Sequence, residues 1–211
     1  MLKLYDFALS PSPRRVRVFA AEKGIPLELI SVNVREMAQF SDSFRAISPN
    51  CTVPVLELED GRRLCDSLAI WRYLEEVHPE PPLLGTDAFD RGIVEEWIRR
   101  IELEGYQAVV EALRNGVERF RDRAVPGTVP FAQIPELAAR GRKRTALFME
   151  MLDRRLRDSE FVAGPRFTGA DIHALVTIDF AAAACQIATP DTLAALKTWH
   201  ARVSARPSAK A

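Results

Sequence analysis

Long apolar runs are missing from this chain. No stretch approaches the ~20 consecutive apolar residues needed to span a bilayer. The first residues, Met1-Leu2-Lys3-Leu4-Tyr5-Asp6, lack the apolar core of a secretory signal, so no membrane association and a cytoplasmic protein are expected. Cysteine is scarce as well. Cys51, Cys65 and Cys185 are odd in number, scattered and without a CxxC pair, which argues against a disulfide framework and fits a reducing compartment. His78, His173 and His200 stand far apart, so no metal site is expected. Charge of either sign is not in excess. The 29 basic and 29 acidic side chains cancel, which disfavours nucleic acid or an anionic membrane surface as the main partner.

What the chain does have is enough apolar material to fold. Hydrophobic residues make up 47% of 211, sufficient for one large or two small domains. Periodicity divides it into two halves. In the first, Leu2, Leu4 and Phe7 mark a strand, and Val16, Phe19, Ala20 and Lys23 a helix ended by Gly24 with Pro26 beyond. Leu27 to Val34 reads as a second strand, and Arg35 to Ala46 as a polar helical stretch. His78-Pro79-Glu80-Pro81-Pro82 then breaks the pattern. Beyond it only helical stripes occur: Ile93, Val94, Trp97, Ile98 and Ile101, continued by Val109, Val110 and Leu113; then Leu147, Phe148, Met151, Leu152 and Leu156; then Leu193, Leu196, Trp199 and Val203. Residues 172–184 are apolar nearly all round and predict a buried central helix, preceded by a capping box at Thr168 and Asp171. Cys65 and Cys185 sit in apolar settings and read as core.

The densest signal lies in residues 53–70. Val55, Leu56 and Leu58 form a short strand, Asp60-Gly61 predicts a two-residue hairpin turn, and Asp66-Ser67 starts a helix running to about Val77. Pro54 at the head of a strand cannot donate to a ladder, and a cis bond there would turn the backbone of Val53 outward toward a ligand. The free N–H groups at Asp66-Ser67 offer an anion site.

This pattern resembles the glutathione-binding half of the glutathione transferase family, and the two halves together resemble its whole plan. The fold class implied is α/β plus all-α: a thioredoxin-like domain (β-α-β-α-β-β-α) over 1–78, a linker over 79–88, and a helical bundle over 89–211. By position, Val53 and Pro54 correspond to the backbone that pairs with the cysteinyl part of glutathione, and Asp66 and Ser67 to the pair that holds its γ-glutamyl end. The family more often has Glu or Gln where this chain has Asp66. Gln39 stands where the family often reaches the glycine carboxylate, although a solvated face explains it equally.

The stretch Ser10-Pro11-Ser12-Pro13-Arg14-Arg15-Val16-Arg17 resembles that of serine-type members. Ser10 matches their catalytic serine, with Ser12 in reserve. Arg14, Arg15 and Arg17 read as surface or subunit-contact charges. Tyr106 and Val110 fall on the first long helix of the second half, where the family builds its electrophile pocket. The resemblance thus implies conjugation of glutathione, as co-substrate and without a metal, to a small apolar electrophile by a homodimer. Two alternatives stand beside it: a glutathione-dependent peroxidase or thiol reductase working through Cys51, and a non-catalytic protein that binds glutathione or a hydrophobic ligand.

Overall fold

A computed structural model describes residues 1–211. The chain forms two compact units. The first comprises Met1–Pro81 with 126–129 and 210–211, and the second Pro82–Val125 and Pro130–Ala209.

The first unit is a four-stranded mixed sheet with helices. Its strands are β1 (Leu2–Asp6), β2 (Leu27–Ser31), β3 (Val55–Glu57) and β4 (Arg63–Leu64), in the order β2-β1-β3-β4. β1 and β2 are parallel; β3 runs antiparallel to both β1 and β4. Leu4, Val55 and Leu56 of the two central strands are fully buried. Helices α1 (Pro11–Glu22) and α3 (Ser67–Val77) pack together through Phe19 and Trp71, whose rings stack at 4.9 Å. Large side chains buried in this way each contribute ~1.5–3 kcal/mol relative to exposure. The Trp71 indole N–H donates to the Arg15 carbonyl at 3.0 Å, so this buried pair leaves no orphaned donor on the ring.

Four local expectations need correction. β2 stops at Ser31, because the Asn33 side chain accepts from the Arg35 N–H and closes a turn in place of the ladder. Residues 35–46 are two short 3₁₀ turns and the four-residue helix α2 (Asp42–Arg45), separated by Met37 at φ +62° and by Ser41, whose hydroxyl caps Phe44. The hairpin has three loop residues rather than two. Leu58 N–H bonds Arg62 O, Gly61 N–H bonds Leu58 O, and of the two expected turn residues only Gly61 is left-handed, at φ +84°. Cys65 is exposed, so it is not core.

The second unit is helical: α4 (Ala88–Arg100), a π-helical turn (Ile101–Tyr106), α5 (Gln107–Gly116), α6 (Pro135–Arg157), α7 (Gly169–Cys185) and α8 (Ala194–Ser204). None of the helices is long and apolar enough to cross a membrane. Gly105 lies so close to α6 that a Cβ would sit 2.6 Å from the Phe148 ring. Leu147, expected in the α6 stripe, points outward, while Phe148 and Leu152 are buried. The α7 helix is the buried one, and Asp171 is its polar centre. The carboxylate is fully buried and accepts from the N–H of Val162, the N–H and hydroxyl of Thr168, and the indole N–H of Trp199. Burial pushes the Asp171 carboxyl up to about 6 against the pull of these donors.

A carboxyl whose folded pKa exceeds its unfolded value stabilises most at low pH and loses that contribution as pH rises through the folded pKa. The stability advantage of the native protein over Asp171→Asn is therefore expected to shrink between pH 4 and pH 7 in urea titrations. An advantage that grows over that range contradicts the raised pKa.

Candidate active site

Strand register brings three chain segments to one end of the sheet. Tyr5 pairs with Val55, and Leu56 pairs with Leu64. Continued two residues, the first register sets Phe7 opposite Val53, and the second sets Asp66 opposite Pro54. The end of β1, the start of β3 and the end of β4 thus coincide, and the first turns of α1 and α3 begin there. Ser10 joins them through its own N–H, which bonds the Phe7 carbonyl at 2.8 Å. Gln39 approaches through its neighbour: Ala38 and Val53 both pack on the core cluster of Val32, Phe44 and Val55.

Ser10 is the residue preceding α1 and has an extended backbone, the usual arrangement for a side chain that caps a helix. It does not cap: Pro11 and Pro13 remove two of the first three helical N–H groups, and the half-buried Ser10 hydroxyl makes no hydrogen bond. The Ser12 hydroxyl differs, since it accepts from Arg15 Nη2 at 3.1 Å. Arg15 and Arg17 are buried, contrary to the surface reading. Arg17 pairs with Asp6 at the end of β1 and also donates to the Ala8 carbonyl at 3.1 Å. The pair pins both ends of the 7–10 loop, although burial still pushes the Asp6 carboxyl up against the pull of Arg17. No sequence pattern reveals a pair of this kind across eleven residues.

The Val53–Pro54 bond is cis, and Pro54 is buried. Neither the N–H nor the C=O of Val53 is paired within the protein. Asp66 caps α3: one carboxylate oxygen accepts from Leu68 and Ala69 at 2.9 and 3.0 Å, leaving the other oxygen open. Ser67 is buried with an uncommitted hydroxyl at the first position of the helix. Gln39 is 5% exposed, not solvated, and its side-chain carbonyl is buried without a partner. A buried polar group is normally satisfied, so this carbonyl is an acceptor still available for a hydrogen bond.

The site therefore offers a free hydroxyl, an unpaired backbone unit before a cis-proline, and a helix start with an open carboxylate and a serine. These suit a peptide-like ligand with a thiol, a backbone amide and a charged amino-acid end.

The sequence models of the N-terminal and C-terminal domains of glutathione S-transferase match residues 9–77 and 120–207. Glutathione S-transferase 2 of Saccharomyces cerevisiae is 31% identical over 98% of this chain and 87% of its own length. The chain belongs to the glutathione S-transferase family. Among solved structures, yeast Gtt2 superposes with a TM-score of 0.90 at 30% identity, covering 99% of this chain and 98% of that one. A glutathione S-transferase domain-containing protein of Marinobacter aquaeolei VT8 gives 0.89 at 34%, covering 98% of each. A maleylacetoacetate isomerase of Pseudomonas aeruginosa is 29% identical over 69% of this chain and 84% of its own length. Family and relatives together support a glutathione-dependent enzyme with a thioredoxin-like domain and a helical domain.

The two remaining candidates belong to the helical unit. Tyr106 closes the π-helical turn, its ring 6.0 Å from those of His173 and Phe180. His173 is fully buried and faces Glu102 at 3.1 Å. Val110 is half-buried on α5.

Removing the Asp6 carboxylate would strand the Arg17 guanidinium in the interior. Asp6→Ala is expected to lower unfolding free energy by ~3–5 kcal/mol, read as a fall in the urea midpoint; a loss under about 1 kcal/mol, the scale of an exposed pair, would place Arg17 in solvent instead.

Proposed function

We propose that the chain conjugates glutathione to a small electrophile, with Ser10 donating a hydrogen bond that holds the glutathione sulfur as thiolate. The observation that carries this is the uncommitted Ser10 hydroxyl, at the same end of the sheet as the unpaired backbone of Val53. In this reading Val53, next to Pro54, pairs with the cysteinyl backbone. Asp66 takes the glutamyl amine, Ser67 its carboxylate, and Gln39 the glycine end. Tyr106 and Val110 line the electrophile pocket. Ser12, whose hydroxyl accepts from Arg15, is the reserve donor rather than the primary one.

The magnitudes agree. A free thiol of pKa about 8.5 is only about 3% thiolate at pH 7. A hydrogen bond to a charged acceptor contributes ~1.5–3 kcal/mol, which lowers a thiol pKa by roughly one to two units. No general base is needed. Burial of Cys51, 4% exposed, weighs against a thiol reductase that would form a mixed disulfide there. A second reading follows from the relatives named as isomerases. The same thiolate adds reversibly to a conjugated double bond, seen as isomerisation with no net loss of thiol. The homodimer, the cytoplasmic compartment and the division at residues 79–88 belong to the same proposal.

Ser10→Ala is expected to reduce kcat/KM for conjugation ~10–100-fold at pH 7, the loss of one charge-assisted hydrogen bond. Ser12→Ala is expected to change it less than about threefold. Steady-state assays in which the two effects are reversed would move activation to Ser12, and no effect from either would refute serine activation.

A further inference from the structure

Helix α7 is apolar along most of its length, yet it buries a histidine. His173 is fully buried, and its Nε2 faces Glu102 Oε2 of the π-helical turn (Ile101–Tyr106) at 3.1 Å. A carboxylate only accepts, so Nε2 carries the proton of that contact. The other Glu102 oxygen accepts from the Gln107 side chain at 3.0 Å. The carboxylate therefore ties the turn to α7 on one side and to the start of α5 on the other. Tyr106 lies between these two ties in sequence. It shares the half-buried face of the turn with Glu102, and its ring is 6.0 Å from those of His173 and Phe180, within the range of aromatic contact. The inner face of the turn is fixed separately by Gly105, which leaves no room for a Cβ against Phe148.

Stability alone does not account for the pair. Taking an imidazole and a carboxylate out of water carries a desolvation cost that their contact often no more than offsets, and a leucine at 173 would fill the same interior without that cost. What a directional contact adds is a single geometry. That matters most at a π-helical turn, whose wider winding changes where the following side chains point and which occurs frequently at functional sites.

We propose that His173 is a positioning residue for the second substrate: through Glu102 and through ring contact it holds the π-helical turn in the geometry that turns Tyr106 toward the electrophile. This rests on the assignment of Tyr106 to the electrophile pocket. His173 itself, fully buried, acts only through these neighbours.

Two probes test it. S-hexylglutathione and S-methylglutathione share the glutathione part and differ only in the apolar group on sulfur, so the ratio of their affinities reads the second pocket without turnover. Calorimetry on the full chain is expected to show the hexyl compound binding at least ~10-fold more tightly to the native protein. In His173→Leu that ratio is expected to fall at least ~3-fold, with the affinity for S-methylglutathione held within about twofold. In His173→Gln, whose amide can still donate to Glu102, the ratio is expected to stay within about twofold of the native one. Added to Tyr106→Ala, His173→Leu is expected to change the ratio by less than about twofold, because the route through Tyr106 is already gone. Glu102→Leu cuts the same tie from the turn and decides the matter if His173→Leu does not fold. No hexyl preference in the native protein, a ratio that survives His173→Leu and Glu102→Leu, or an equal effect in the Tyr106→Ala background would overturn the proposal. Turnover of 1-chloro-2,4-dinitrobenzene with glutathione is measured alongside. Its absence with the Tyr106-dependent effect intact would refute conjugation and leave the positioning role standing; its presence without that effect would do the reverse.

Discussion

Antiparallel pairing of β3 with β1 on one side and β4 on the other is the constraint on which the glutathione half depends. A shift of one residue in either register would turn every side chain of β3 to the opposite face. Val55 would then leave its cluster with Val32 and Phe44, and the register that aligns Val53 with Phe7 and Pro54 with Asp66 would be lost. The buried Asp6–Arg17 pair and the Trp71–Arg15 hydrogen bond extend that order from the sheet into α1 and α3. The site residues are spread along the chain from Ser10 to Ser67, so they meet only if this small sheet is correctly paired.

The N-terminus of α1 shows how the chemistry is divided. Helix starts commonly stabilise anions through free N–H groups and the dipole. Here Pro11 and Pro13 delete two of those N–H groups, so the direct hydrogen bond from the Ser10 hydroxyl has to supply most of the stabilisation of a thiolate. The same prolines leave Ser10 without its ordinary capping duty, and its proton stays available to a ligand. At α3 the division is different. Asp66 spends one oxygen on capping Leu68 and Ala69 and keeps the other for a cation, while Ser67 presents an uncommitted hydroxyl.

Much of this was legible in the sequence because it is local. The Ser67–Val77 helix, the capping box before α7 and the two-unit plan follow from caps, breakers and periodicity within a few residues. What was not legible depends on tertiary context. Gln39 reads as polar surface, yet its turn folds it into the interior, where its carbonyl is orphaned. Arg15 and Arg17 read as surface charge, yet their partners are Ser12 three residues back and Asp6 across a loop. The end of β2 is not visible in the periodicity because the Asn33 side chain competes with the ladder.

The most direct test of the account is an ultraviolet titration of the thiolate of glutathione bound to the protein, with Ser10→Ala alongside. The account predicts a bound pKa roughly one to two units below the ~8.5 of a free thiol, restored toward that value in the variant. A bound thiol with an unshifted pKa, or a shift that survives loss of the Ser10 hydroxyl, would contradict it.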